Sequence, residues 1–272
     1  MTTDTETTFK IVASDLDGTL LAPSHQLSEF TKETLRELNR KGYTFTFATG
    51  RHHIDVSGIR GQADIPAYMI TSNGARVHDQ NDQVMFSKDV PEALVQPVID
   101  LIKTDPAMII HIYQDDRWLL SREEEQLKEF HKDSDFPYML FDVDNAPSKH
   151  VVKIFFTYQD HDYLARYEDK LKSQFGDQLY IAFSSPWCLE VMAPGVSKGA
   201  ALKAVAESMG LSLQNCIAFG DGMNDVEMLS MAEKGLLMET AHEKVKAALP
   251  DIEQIGSNVN DSVAHYLEKH LF

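Results

Sequence analysis

Apolar residues recur in two rhythms along the chain, and the change from one to the other divides it. From Ile11 a short apolar run ends in a Gly-Thr turn, and Leu27, Phe30, Leu35 and Leu38 then fall on one helical stripe. Ser28 can cap that helix and Gly42 can end it. The alternation of aromatic and threonine residues from Tyr43 to Thr49 reads as a second strand, and the apolar stretch 68–71 as a third. Strand, helix and strand in repetition predict a parallel sheet covered by helices on both faces. After Asn73-Gly74 the rhythm shifts to hairpins: 75–78, 84–86, 108–113, a turn at Asp115-Asp116, then 118–120. Helical stretches 91–103 and 123–131 separate these runs, and strands resume at 151–156 and 180–183. The apolar run 188–192 follows, and from Lys198 helices and strands alternate again to a closing helix near 261–271. The expected architecture is an α/β protein, a Rossmann-like doubly wound parallel-sheet core interrupted by an inserted α+β cap. The expected boundaries are core 1–83, with a short polar leader at 1–8, cap 84–188 and core 189–272.

Composition narrows the function classes. A chain of 272 residues exceeds the usual single-core range, in keeping with two domains. No apolar run approaches the roughly 20 residues of a membrane span. The leader is acidic and polar and does not read as a signal peptide. Cys188 and Cys216 sit in apolar runs and read as core residues of a reducing compartment, so a cytoplasmic protein is expected. A net charge of −17 disfavours nucleic acid or an anionic membrane as partner. An anionic substrate must then be attracted by local cations against the overall field. The oligomeric state is left open by the sequence.

Four segments carry the candidate chemistry. Asp15 and Asp17 are one residue apart where the first strand runs out, so they share a side while Leu16 turns away. Two carboxylates on one side repel, and a hard divalent cation such as Mg2+ would relieve that repulsion and leave Asp15 free to attack phosphorus. Thr49 and Gly50 end the second strand, one offering a hydroxyl donor and the other a close backbone approach. Lys198 opens a helix, where a cation is mismatched with the dipole and implies an anion nearby. Asp221 and Asp225, four apart around Gly222 with Asn224 between them, form a further oxygen-donor cluster at a strand end.

These four segments, in this order, resemble the signature motifs of the haloacid dehalogenase-like hydrolase superfamily, and the large insert between the second and third resembles its Cof-type branch with a type IIB cap. The likeness extends from about Phe9 to the C-terminus, and enterobacterial pyridoxal phosphate and sugar phosphatases are similar around 47–53, 70–79 and 188–199. The resemblance implies a phosphatase that forms an aspartyl-phosphate on Asp15, with Asp17 as general acid/base. It implies phosphate contacts from the Leu16 N–H, Thr49, Gly50, Lys198 and Asn224. Mg2+ is expected on Asp15, the Asp17 carbonyl and Asp221, with Asp225 in support. The expected substrate is a small phosphorylated metabolite, pyridoxal 5'-phosphate or a sugar phosphate. One departure is Thr240, where relatives often carry Asn. A phosphomutase using the same aspartates, or a non-catalytic phosphate-sensing module, remains the alternative.

Other residues carry weaker signals. His52 and His53 diverge too much on a helix for a two-His metal site. Arg51 suits either the cap and a substrate anion or a helix surface. Trp118 and Trp187 are expected to pack within or beside the insert.

Overall fold

The computed structural model describes residues 9–125, 127 and 136–272. The polar leader 1–8 lies outside them, as does most of the helix expected over 123–131. Fourteen strands form two sheets among the described residues. In chain order they are β1 (Ile11–Ser14), β2 (Thr44–Ala48), β3 (Ala67–Thr71), β4 (Arg76–His78), β5 (Val84–Ser87), β6 (Ile109–Gln114) and β7 (Arg117–Leu120). They continue with β8 (Tyr138–Leu140), β9 (Val151–Thr157), β10 (Tyr180–Ser185), β11 (Cys188–Met192), β12 (Cys216–Gly220), β13 (Lys234–Met238) and β14 (Glu253–Ile255).

The eight-stranded sheet runs β14-β13-β12-β1-β2-β3-β4-β5. Its first six strands are parallel, and β4 and β5 close one edge as an antiparallel pair. β1 is buried throughout, as a central parallel strand must be when helices cover both faces. Helix Glu29–Arg40 covers one face; the Ser28 side chain accepts the Thr31 N–H at 3.0 Å and Leu35 and Leu38 are buried, as the stripe requires. Helix Lys198–Ser208 covers the other face through Ala201, Leu202 and Val205.

The six-stranded sheet, β10-β11-β9-β6-β7-β8, is antiparallel except where β7 meets β8. Side chains alternate across it. Ile154, Phe156, Leu189 and Val191 pack with Val95, Val98, Leu164 and Leu171 from helices Glu92–Asp100 and His161–Phe175. Tyr113, Phe155 and Met192 turn to the opposite face, where they meet Ala75 and Ile54 of the first sheet's loops and helices. The insert is therefore an α+β layer laid over the core.

Strand pairing differs from expectation at both ends of the insert. Val84–Ser87, expected to open it, pairs with β4 in the eight-stranded sheet. Cys188–Met192, expected at the return to the core, pairs with β9 and β10 in the six-stranded sheet. The period-two pattern is the same in either sheet, so only the pairing partner assigns a strand. The chain passes between the sheets near Lys88 and Pro194, where the Lys88 ammonium donates to the Pro194 carbonyl.

Candidate active site

The order β12-β1-β2 sets the ends of three parallel strands side by side, with Ser14 level with both Phe219 and Phe47. The residues that follow emerge together at the carboxyl edge, where open α/β sheets bind ligands. Asp15 leaves β1 with its N–H on the Phe219 carbonyl at 3.0 Å. The helical turn Leu16–Leu20 that follows is interrupted at Asp17 and at Gly18, where φ is +80°. A side chain on Gly18 would overlap the Asp221 carboxylate, so glycine serves both the turn and the approach of the two loops.

Two carboxylates share one ammonium, with a third beside them. Lys198 is fully buried, and its Nζ lies 2.6 Å from Asp15 Oδ1 and 2.6 Å from Asp225 Oδ1. These are the anions that a cation at the start of a helix implied. The Ser197 side chain caps that helix by accepting the Ala200 N–H at 3.0 Å, leaving Lys198 to reach inward. Asp225 Oδ2 accepts from the N–H groups of Asp221 at 3.0 Å and Gly222 at 2.8 Å. Thr19 donates to Asp221 Oδ1 at 2.8 Å. Among the described residues, Asp15 Oδ2 and Asp221 Oδ2 are left without a hydrogen bond.

The titration of these groups reflects a shortage of positive charge. Burial raises Asp15 well above the usual carboxylate range; Lys198 opposes this, and the Asp225 and Asp221 charges add to it. Burial, followed by the Asp225 charge, pushes Asp221 up to about 6. For Lys198 burial favours loss of the proton, but Asp15 and Asp225 outweigh it and hold the ammonium charged. Asp15, Asp221 and Asp225 each offer an oxygen, all within 4.8 Å of one another, a donor set suited to a hard cation such as Mg2+. Asp225 has its oxygens committed to Lys198 and two backbone N–H groups. The open oxygens belong to Asp15 and Asp221.

Asp17 stands across the mouth of this cluster. Its Oδ2 accepts from Arg51 Nε at 2.7 Å and its Oδ1 lies 3.2 Å from His25 Nδ1. Burial pushes Asp17 upward, but Arg51 and then His25 prevail and hold it below the usual range. The carboxylate is thus in its proton-accepting form, and acting as an acid requires the Arg51 pair to open. Thr49 is 2% exposed, and its Oγ1 accepts the Arg51 N–H at 3.1 Å, which leaves its own proton free to donate. Asn224 donates to Asn73 Oδ1 at 3.0 Å.

A family of haloacid dehalogenase-like hydrolases matches residues 12–267. The chain belongs to that family. The hydrolase is 45% identical over 263 residues to a Haemophilus influenzae protein named provisionally as a phosphatase, a match covering 95% of this chain and 96% of that one. An HMP-PP phosphatase of Cronobacter sakazakii is 40% identical over 258 residues, covering 95% and 94%. Among solved structures, a haloacid dehalogenase-like hydrolase of B. subtilis superposes with a TM-score of 0.85 at 23% identity, over 97% of this chain and 100% of that one. A sugar phosphatase of HAD subclass IIB superposes with a TM-score of 0.82 at 22% identity, over 96% and 98%. At such identities these two likenesses concern the fold. The family match and the sequence relatives make the hydrolase a Cof-type member and a phosphoric monoester hydrolase.

The remaining candidates sort by position. His52 Nδ1 accepts the Ile54 N–H at 3.3 Å as a helix cap while its Nε2 meets the Asp115 carbonyl at 2.7 Å, and burial lowers its pKa to about 3. It is a neutral structural ring. Trp118 is buried in the insert, Trp187 is exposed in the β10–β11 turn, and Asp115 turns the β6–β7 hairpin at φ 44°. Cys188 and Cys216 are free thiols on different sheets. Thr240 is exposed. Sequence reasoning missed Asn73, Lys153 and Glu190, which the structure brings against Gly50 and Asn224. The signal available was a lysine and a glutamate in the middle of otherwise apolar strand runs.

Proposed function

We propose that the hydrolase is a Mg2+-dependent phosphatase that transfers the phosphoryl group of a small phosphate monoester to Asp15 and then to water. The observation that carries this reading is the buried Asp15–Lys198–Asp225 chain beside Asp221, in which a carboxylate at the strand end keeps one oxygen open. Lys198 holds Asp15 Oδ1 and so aims Oδ2 outward for in-line attack. Asp15, Asp221 and the Asp17 carbonyl would hold Mg2+, with Asp225 behind them. When bound, the ion neutralises charge on the phosphate and the carboxylates. Thr49 Oγ1, the Gly50 and Leu16 N–H groups, Asn224 and Lys198 donate to the equatorial oxygens. Once substrate draws Arg51 away, Asp17 takes up a proton from solvent and gives it to the leaving oxygen, and the carboxylate so regenerated takes one from the water that cleaves the acyl phosphate.

For the organic group, the Arg51 guanidinium on Asp17 offers a cation that the polar substituents of a compact substrate could meet. Pyridoxal 5'-phosphate or a sugar phosphate is the proposed substrate, and the HMP-PP named for the Cronobacter relative joins the panel to be compared by kcat/KM. The central experiment is acid quench of the working enzyme with 32P-labelled substrate. Label should remain on the protein, be released by hydroxylamine, and be missing from Asp15→Asn, whose turnover should fall below about one thousandth of normal. Near-normal hydrolysis by Asp15→Asn would end the covalent mechanism.

A further inference from the structure

Lys153 and Glu190 form an ion pair whose side chains are 3% and 4% exposed, and the chemistry above gives it no task. Replacing a buried ion pair with packed apolar side chains is often neutral or stabilising, so fold stability is a weak reason for this one. Its position supplies a better one. Lys153 lies on β9 and Glu190 on β11, diagonal neighbours on the face of the insert that meets the core.

Each partner reaches a loop expected to grip phosphate. Lys153 Nζ lies 2.6 Å from Glu190 Oε1 and donates to the Gly50 carbonyl at 2.8 Å. The N–H on the same peptide, that of Arg51, donates to Thr49 Oγ1, so one peptide plane is held at both ends. That leaves the Thr49 hydroxyl with its proton as its remaining donor. Glu190 Oε2 accepts from Asn73 Nδ2, and Asn73 Oδ1 accepts from Asn224 Nδ2 at 3.0 Å. Asn73 is itself held in the left-handed region at φ 57°, with its N–H on the Thr49 carbonyl at 2.9 Å. A side chain on Gly50 would press on Asn73 Oδ1 at 3.1 Å. The two loops and the insert therefore share one hydrogen-bonded unit.

We propose that Lys153 and Glu190 are positioning residues, supplied by the insert, that set the Thr49–Gly50 loop and Asn224 for phosphate. The docked insert is then part of the phosphate cradle as well as its cover. This rests on the phosphatase reading above. Because the pair acts on the phosphate loops, its loss weakens every substrate by the same factor, whatever the leaving group.

The test uses the full chain with Lys153→Met, Glu190→Leu and Glu190→Gln, each checked for folding by circular dichroism. kcat/KM is measured for pyridoxal 5'-phosphate and p-nitrophenyl phosphate, together with inhibition by inorganic phosphate and the Mg2+ concentration for half activity. Lys153→Met and Glu190→Leu should lower kcat/KM about 10- to 100-fold on both substrates and raise the phosphate inhibition constant, with the Mg2+ requirement unchanged. Glu190→Gln keeps an acceptor for Asn73 and should lose less. If Lys153→Met does not fold, Asn73→Asp carries the same expectation, because it repels Glu190. Adding Glu190→Gln to Asn73→Asp restores a donor and should recover part of the loss. Folded variants within about twofold of wild type overturn the proposal, as does a loss confined to one substrate, which would mean contact with the organic group. An inactive wild type, or activity surviving Asp15→Asn, would instead remove the phosphatase reading beneath it.

Discussion

Asp221→Asn should stabilise the metal-free enzyme while removing its response to Mg2+. Burial and the neighbouring Asp225 charge bring Asp221 to about 6, whereas an aspartate in an unfolded chain titrates near about 4. A tenfold change in proton affinity is about 1.4 kcal/mol, so a hundredfold change places a cost of about 3 kcal/mol on the folded state at neutral pH. The folded value lies above the unfolded one. The cost is therefore absent below about pH 4, grows between about pH 4 and 6, and is complete above that. Asparagine has the same shape and keeps the oxygen that accepts from Thr19 at 2.8 Å. Asp15 and Asp225 share the crowding, so about 1–3 kcal/mol should be recovered, or about 3–8 °C in Tm for a chain of this size.

Thermal unfolding in EDTA at pH 7.5 and at pH 4.5, for wild type and variant, measures this directly. The variant should melt higher at pH 7.5, and the gap should shrink at pH 4.5. Mg2+ should then raise the wild-type Tm and leave the variant nearly unmoved, because binding to the native state alone adds stability. A variant no more stable than wild type at pH 7.5, or a gap that ignores pH, would refute the account of a charge-starved cluster. Persistence of the Mg2+ response in the variant would refute the assignment of Asp221 as a ligand.

Lys198→Met strands the Asp15 and Asp225 carboxylates that now share its ammonium, and should cost about 3–5 kcal/mol in urea unfolding at neutral pH; unchanged stability would mean that the pair is not desolvated. Protonated carboxyls do not ligate cations, so the Mg2+ concentration for half activity should climb as pH falls below about 6, where Asp221 takes up its proton. A requirement constant from pH 5 to 8 would contradict this. A cap deletion must respect strand pairing, keeping Val84–Ser87 with the core and removing Cys188–Met192 with the insert. With a short linker between Lys88 and Pro194 and a shown fold, it should lose most hydrolysis of pyridoxal 5'-phosphate and also lose activity on p-nitrophenyl phosphate, since Lys153 leaves with the insert. Full retention on both substrates would remove any role for the cap in the chemistry.

Much of the site was legible from local pattern, because each group at it follows directly from a strand or opens a helix. A side chain one residue beyond a buried parallel strand has only the carboxyl edge of the sheet to occupy, and the one-residue spacing of Asp15 and Asp17 or the four-residue spacing of Asp221 and Asp225 shows through any packing. Lys198 announced its partners by standing where the helix dipole disfavours it. The sequence could not say that β1 lies between β12 and β2, the adjacency that turns separate motifs into one cluster. It could not decide that Asp17 rests on Arg51, or that Val84–Ser87 and residues 189–192 belong to the sheets opposite to those expected. Alternating side chains look the same whichever neighbour completes the backbone ladder. Lys153, Glu190 and Asn73 were hidden for a related reason. Their meaning lies in hydrogen bonds between two layers far apart in the chain, and such contacts have no period, spacing or local propensity by which a sequence could display them.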